Sequence, residues 1–553
     1  MVANVLKFLF ICLEVVVLFN LMIIVHELGH FLAARWRGLV IEKFGVWFGK
    51  PIWEKEIGGV VYSLGSIPAG GFVALPQLAP MEVMEGEVKS DRNQLPPISA
   101  LDKVIVAFAG PLFSFLLACV FALAVWWVGR PVSEAETTTV IGYVLPDSGA
   151  QKDGLQPGDK VVSIDGIPVS RWHGMGNESV EWRIIRSEGE KVALELERMV
   201  GGQPQRLQVQ TKPTVPTTKS WSRKGVRRLP ILPAETAVVG EVGAGSSAAA
   251  AGLLVGDAVV EVNGVRILHP SQLGELLSAN AGAPLRLGVD RHGQKLEVGP
   301  VSVLGALVGD VVKGLPAEAA GVQRGDRVLS VNGVALNSAQ KVLEAIRAAG
   351  AMELNLELER AGAKQQVKVT PTPVEGEGRP MIGVQFDNDL GIAFTVGGRT
   401  ALVHPGPVEQ LYKAGMSIVD TVGAVASKKS DVKLQHMGGP VMMMRVYYSF
   451  FQMDFADGWR LAFWFSVVLN INLAMLNMLP IPVLDGGHIV LAIIEGIRRR
   501  PVSLRILEAV QTGCAVMIIG FMVYIFFFDV QDLFQGSGQK KLRPKAASSE
   551  AQK

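Results

Sequence analysis

Apolar residues crowd both ends of the chain. Val5–Val25 is almost unbroken Leu, Ile, Val and Phe, and Val104–Val128, Leu461–Leu479 and Ile506–Phe528 repeat the pattern. A hydrocarbon core about 30 Å thick takes roughly 20 helical residues to cross, and each run is near that length. Four membrane-spanning helices are expected, split by a long insert of different texture. In that insert hydrophobic and polar positions alternate over short runs such as Leu354–Leu358 and Gln366–Thr370, the period of half-buried strands. Lys7, preceding the apolar stretch that begins at Phe8, also fits a cleaved signal peptide. Cleavage near Ala33-Ala34 would discard the most chemically marked segment of the chain, so a retained helix is the preferred reading.

Of the 553 residues, 49% are hydrophobic and only 19% charged, against about 25% charged in soluble chains. A wholly soluble globule and a disordered chain are both excluded. The 53 Lys+Arg and 51 Asp+Glu leave a net charge of +2, without the basic surplus of a nucleic-acid binder. Cys12, Cys119 and Cys514 all lie in apolar runs and offer no disulfide framework. Basic residues near span ends set orientation. Arg35 and Arg37 follow the first span, Lys103 precedes the second, and Arg498, Arg499, Arg500 and Arg505 crowd between the third and fourth. The opposite flanks hold Arg130 and Arg460. The loops 35–103 and 481–505 are therefore expected on the cytoplasmic side, and the insert 130–457 on the other. Lys540, Lys541, Arg543 and Lys545 in the tail oppose this, but a short distal tail weighs less than tight loops.

The insert repeats itself. Gly142, Gly240 and Gly309 each stand 12 residues before a second glycine: Gly154, Gly252 and Gly321. Gly158-Asp159, Gly256-Asp257 and Gly325-Asp326 follow at one offset, and Asp165-Gly166, Asn263-Gly264 and Asn332-Gly333 close the blocks. Such pairs make two-residue hairpin turns. The pattern resembles the PDZ domain, a small α+β module that binds an extended peptide along a sheet edge. Peptide binding and exclusion of bulky proteins are equally open readings. The expected organisation runs from 1–130 (two spans and a membrane hairpin) through PDZ-like modules at 131–212, 236–303 and 304–388. A solvated linker, 213–235, separates the first two modules. A connecting region with an amphipathic helix, 389–457, leads to two further spans, 458–533, and a disordered basic tail, 534–553.

The chemistry begins at His26-Glu27-Leu28-Gly29-His30, where the first span ends. Positions i and i+4 share a helix face, so both imidazoles can reach one Zn²⁺ while Glu27 stands beside the water it activates. Catalytic zinc ordinarily takes three protein ligands. The run Asn477-Met-Leu-Pro480-Ile-Pro482-Val-Leu484-Asp485-Gly-Gly-His488 breaks the third span, because proline cannot sit in a regular helix. Asp485 is a candidate third ligand. His488 competes with it, and Asp485 also suits a plain turn role in the Asp-Gly-Gly sequence. Asn477 is placed to donate a hydrogen bond to a substrate carbonyl. Glu14 lies about 18 Å from His26 at 1.5 Å per residue, too far to join them.

Together, H-E-L-G-H in the first span, N-x-x-P-x-P-x-L-D-G-G-H in the third and PDZ modules between spans two and three resemble the site-2 protease family, in its bacterial branch that regulates sigma factors. The resemblance covers the chain to about Leu533. It implies a zinc intramembrane endopeptidase of the bacterial inner membrane, with His26, His30 and Asp485 as ligands and Glu27 as general base. The implied substrate is a single-pass membrane protein resembling an anti-sigma factor already shortened outside the membrane. Ile67-Pro-Ala-Gly70-Gly71-Phe72-Val73 resembles the family's membrane-dipping hairpin, whose strand edge would hold an unwound substrate. Ala109-Gly110-Pro111, opening the second span, and Gly438-Gly-Pro440-Val441 match further family elements. Two departures stand out: Ser114 where relatives usually have Asn, and three modules where two are common. The expected fold is thus a polytopic α-helical membrane protein with an inserted array of α+β PDZ-like domains. The rival functions are an inert membrane-anchored PDZ scaffold and, last, a metal transporter, for which the spans offer no polar path.

Overall fold

The computed structural model describes residues 2–536 apart from 79–94, 97, 175, 217, 219–221, 244–245, 280–283, 303–305, 313, 337–338, 361, 374–379, 387–391, 396 and 501; the basic tail from 537 lies outside the described residues. Contacts divide the chain into two units. One contains the chain up to Val132, Pro216–Val226 and Leu402–Phe534; the other contains Ser133–Val215 and Arg227–Ala401.

Four helices among the described residues are long and apolar enough to cross a membrane, at Val5–Arg37, Ala100–Val128, Phe455–Asn477 and Leu507–Asp532. The first unit is built from helices α1 (Val2–Arg37), α2 (Ala100–Val128), α3 (Pro407–Ala426), α4 (Pro440–Phe451), α5 (Phe455–Asn477), α6 (Asp485–Arg498) and α7 (Leu504–Gly536), with strands β1 (Lys43–Ile57) and β2 (Val60–Ala74). Helix α2 is the hub, touching α1, α3, α5 and α6. Its buried residues include the small Ala107, Ala109, Gly110, Ser114, Ala118 and Ala122 beside Val106, Pro111, Phe121 and Val125. Small side chains at three- and four-residue spacing let helices approach closely where no hydrophobic effect drives them together. The outward faces carry exposed Phe8, Phe10, Trp127, Val516 and Val523, which lipid would cover.

Several helix limits differ from expectation. Helix α1 continues well past His30 to Arg37, because Phe31-Leu-Ala-Ala still forms helix after the apolar run has ended. It stops at Gly38 (φ 72°), where Leu39 N–H donates to Ala34 C=O and Gly38 N–H to Arg35 C=O, a Schellman cap that needs a left-handed residue. Arg37 then pairs with Asp102 at 2.6 Å, and Asp102 with Ser99 forms the capping box of α2. Pro111 lies inside α2 rather than at its start. The expected 481–505 loop contains a further helix, α6.

The β1–β2 pair is more folded than a hairpin. Val46 pairs with both Gly71 and Leu64, and Trp53 also pairs with Leu64. The arms therefore lie in the order 51–57, 60–65, 43–48, 67–74, with the 67–74 arm at an edge.

The second unit contains the three repeats, each with its own core. Leu194 and Leu196 centre the first, Leu285 and Leu287 the second, Leu356 and Leu358 the third. Asp165, Asn263 and Asn332 take φ near +50° and the glycines after them +76° to +79°, the two left-handed residues of a type I′ turn. The Gly-Asp aspartates are staples. Asp159, Asp257 and Asp326 each accept two bonds from an arginine (Arg198, Arg291, Arg360), which also donates to the carbonyl of Gly154, Gly252 or Gly321.

Three expected boundaries are revised. Ile392–Phe394 pairs with Ala237–Val242, so the last strand of the second module follows the third module in the chain. Ile231–Pro233, inside the expected linker, pairs with Ile141–Val144 of the first module. The rest of that linker is not simply solvated. Pro216–Val226 packs with the membrane helices, and half-buried Arg223 pairs with buried Asp529 at 2.6 Å and with Asp532 at 2.8 Å; Lys219 lies outside the described residues. Three-residue edge strands and single buried ion pairs carry no local sequence signal, because backbone pairing and a distant partner decide them.

Candidate metal centre

His26 and His30 stand on one face of α1, and α2 orients both rings. His30 Nδ1 lies 2.8 Å from the carbonyl oxygen of Val106. A carbonyl only accepts, so Nδ1 carries the proton and the Nε2 lone pair is left for a metal ion. His26 Nδ1 lies 2.9 Å from Ser114 Oγ, which gives the departing Ser114 a definite role: it holds this ring. The helix break carries α6 back toward α1. Asp485 is the first residue of α6, with Leu484 as its N-cap, so it is not the side-chain cap the turn reading required. Gly486 and Gly487 make that geometry possible, since a Cβ on either would fall 2.1–2.3 Å from the carbonyls of Ile481 and Met478.

The result is a compact triangle. His26 Nε2 and His30 Nε2 are 3.3 Å apart; Asp485 Oδ2 is 3.2 Å from His26 Nε2 and Oδ1 is 3.3 Å from His30 Nε2. Tetrahedral zinc with bonds of about 2.0–2.1 Å has donor–donor edges of about 3.3–3.4 Å, so each of these separations has the length of such an edge, with each imidazole facing its own oxygen of Asp485. Asp485 Oδ2 is buried and no hydrogen bond reaches it. The His30 Nε2 lone pair and the buried carboxylate of Asp485 turned on one another are costly unless a cation sits between them. The donor set fits zinc. His26, His30 and Asp485 are the one such cluster among the described residues.

Around the triangle is a cavity of about 300 Å³, lined by Glu27, Phe48, Gly71, Phe72, Val73, Asn477 and His488 among others. Glu27 therefore faces the same space as the ligand triangle. Asn477, the last residue of α5, brings Nδ2 within 3.4 Å of His26 Nε2. Gly71 abuts Glu27: a Cβ there would stand 3.2 Å from Glu27 Cγ. Gly70 (φ 83°) faces the Phe48 ring, which leaves no room for any side chain. His26, Glu27, His30, Asn477, Asp485, Gly70, Gly71 and Phe72 thus lie in or beside one site. Glu14 does not; it is half-buried higher in α1.

Two glycines of the site went unread. A Cβ on Gly29 would fall 2.4 Å from the Ala109 carbonyl, so this residue lets α1 lie against α2. A Cβ on Gly110 would fall 2.2 Å from His30 Nε2 and 2.9 Å from His26 Nε2. The Ala-Gly-Pro signal was visible in the sequence, but not what stood opposite it.

The sequence profile of peptidase family M50 matches residues 14–521. The chain belongs to peptidase family M50. Peptidase family M50 comprises zinc metalloendopeptidases of the site-2 type, and among the described residues of this member four helices are long and apolar enough to cross a membrane. A Neisseria meningitidis protein named as a zinc metalloprotease is 25% identical over 526 residues, covering 93% of this M50 peptidase and 98% of its own length. The regulator of sigma-E protease RseP of Salmonella typhimurium is 24% identical over 534 residues, covering 94% and 98%. Among solved structures, the PDZ domain of an SdrC-like protein from Listeria monocytogenes matches 16% of this chain and 92% of its own at 24% identity, with a TM-score of 0.15.

Proposed function

We propose that this M50 peptidase cuts a transmembrane segment of a single-pass membrane protein, an anti-sigma factor first shortened outside the membrane, and so releases a cytoplasmic signalling fragment. The observation that carries the reading is the His26–His30–Asp485 triangle beside Glu27 in one cavity. His26, His30 and Asp485 would hold zinc, which when bound polarises the scissile carbonyl and makes a neutral-pH water a nucleophile. Glu27 takes the proton from the attacking water on its carboxylate and delivers it to the leaving amine nitrogen. Asn477 Nδ2–H donates to the substrate carbonyl oxygen, and Ser114 and Val106 keep the imidazoles turned inward.

A substrate helix has its carbonyls bonded along its own axis and must unwind before attack. The 67–74 edge, with Gly71 and Phe72 against the cavity and Gly70 beside them, would offer backbone groups to the unwound stretch. The modules would face the periplasm, where they bind peptide ends or exclude bulky proteins, and the zinc site would lie toward the cytoplasm. The basic residues around the first, third and fourth spans support this orientation. A regulatory role in the sigma-E response follows the named relative.

The test is Glu27→Gln in full-length protein. Zinc content should remain at one per chain while cleavage of a co-expressed single-pass substrate disappears. Unchanged cleavage would overturn the catalytic reading and leave a membrane-anchored PDZ scaffold in its place.

A further inference from the structure

Asn20 is a polar residue inside the first membrane helix and only 5% exposed. A buried asparagine can satisfy itself by bonding back along its own helix, and Asn20 Nδ2 does donate to Val16 C=O at 2.8 Å. That bond leaves its second N–H and its carbonyl oxygen unused. The remainder goes to the folded sheet: Nδ2 also reaches Pro68 C=O at 3.3 Å, and Oδ1 accepts the indole N–H of Trp47 at 2.8 Å. Trp47 and Pro68 belong to the neighbouring 43–48 and 67–74 arms, so one side chain ties both.

Trp47 sits at φ 68°. A bulky L-residue takes the left-handed region only where its surroundings impose it, and such strain concentrates at functional sites. The bond to Asn20 is the visible restraint. Its axial position matters too. Asn20 and Glu27 are seven residues apart, two helical turns on the same face, about 10.5 Å along α1. Pro68 to Gly71 is three strand residues, about 10 Å. Gly71 then meets Ile23 and Glu27, where its Cβ would lie 3.4 and 3.2 Å from their side chains. The strand edge therefore runs along the catalytic face of the helix, fixed at one end by Asn20 and lying against Glu27 at the other.

We propose that Asn20 is a positioning residue that sets the register of the 67–74 edge against Glu27, and thereby selects which peptide bond of an unwound substrate is cut. This rests on the peptidase reading above. A slip of one residue would move the edge by about 3.3 Å and exchange its two faces.

The experiment uses full-length protein in detergent micelles and a synthetic single-span peptide, with products identified by mass spectrometry. Asn20→Leu should keep wild-type zinc content and stay folded, with only a modest drop in thermal midpoint from the Trp47 N–H and Pro68 carbonyl it leaves unpaired. Cleavage should spread to neighbouring bonds, and kcat/KM at the wild-type bond should fall on the order of 10-fold or more. Trp47→Gly accepts the left-handed backbone freely and keeps the Pro68 contact, so its shift should be smaller. The double variant should be no worse than Asn20→Leu, because both act through one network. Cleavage at the same single bond with unchanged kcat/KM in both single variants would overturn the inference and leave the peptidase reading intact. No cleavage by zinc-loaded wild-type protein would overturn the peptidase reading, and this inference with it.

Discussion

Replacing Gly110 by alanine should strip the metal from the protein without unfolding it. The new Cβ would stand 2.2 Å from His30 Nε2 and 2.9 Å from His26 Nε2, where ordinary contact begins at 3.4 Å. His30 Nε2 would have to retreat by about 1.2 Å, several times the tolerance of about 0.2 Å on a zinc–ligand distance. The ring cannot swing freely, because its Nδ1 is held 2.8 Å from Val106 C=O. Disturbing only an outer partner of a zinc ligand typically lowers affinity 10–100-fold. Displacing a ligand itself should cost about 100-fold or more, and a misplacement near 1 Å would lower kcat by a similar factor.

The same substitution should help the helix. Gly110 lies inside α2, where alanine is favoured over glycine by roughly 0.5–1 kcal/mol. Zinc would be measured by mass spectrometry after dialysis against a graded chelator, cleavage with a single-span substrate, and thermal midpoint on metal-free protein. The expected pattern is lost zinc, lost cleavage and an unchanged or higher metal-free midpoint. Wild-type zinc retention and cleavage would refute the geometry of the triangle. A collapsed midpoint would refute the claim that the clash acts through the ligands.

Asp326→Asn should destabilise the third module by about 2–3 kcal/mol, toward the low end for a broken buried pair because Arg360 keeps some solvent access; hydrogen exchange on Leu354–Arg360 would report it. Burial pushes the carboxyls of Asp257 and Asp326 up, but bonds from Arg291 or Arg360 and from the Leu254 or Gln323 N–H outweigh it and hold both below the ordinary range. Their contribution is therefore complete above the unfolded value of about 3.9 and is lost as pH falls below it; an acid titration of module unfolding showing no loss there would contradict this. Arg223→Ala should lower the thermal midpoint in micelles, since it leaves the fully buried Asp529 carboxylate with only the N–H groups of Gly439 and Met442, at a cost of about 3 kcal/mol. Adding Asp529→Asn should recover part of the loss; an unchanged midpoint in Arg223→Ala would show that the segment Pro216–Val226 is not anchored there.

Much of the architecture was legible because its signals are local. Long apolar runs mark spans, and left-handed turn pairs mark the repeats, as Asn263-Gly264 and Asn332-Gly333 do. What escaped was everything decided by a partner far away in sequence. The strand Ile392–Phe394 is too short to announce which module it completes, and Arg223 reads like its solvated neighbours until Asp529 is set beside it. Helix α6 was hidden because its start is written in glycine, which argues locally against a helix, while the crowding of Gly486 and Gly487 against the break requires it.

The candidate reactive groups are named by the chain alone: His26, Glu27 and His30 at helical spacing, and an aspartate following a proline-broken span, can be picked out whatever surrounds them. Whether that aspartate reaches the imidazoles was decided only by folding. It depends on α2 turning both rings by hydrogen bonds at Ser114 and Val106, on glycines at 29, 110, 486 and 487 that let backbone approach backbone, and on a break that returns α6 to α1. Local patterns record what each residue can do. Donor distances of 3.2–3.3 Å arise only when rigid helices, packed through small side chains, leave the donors nowhere else to be.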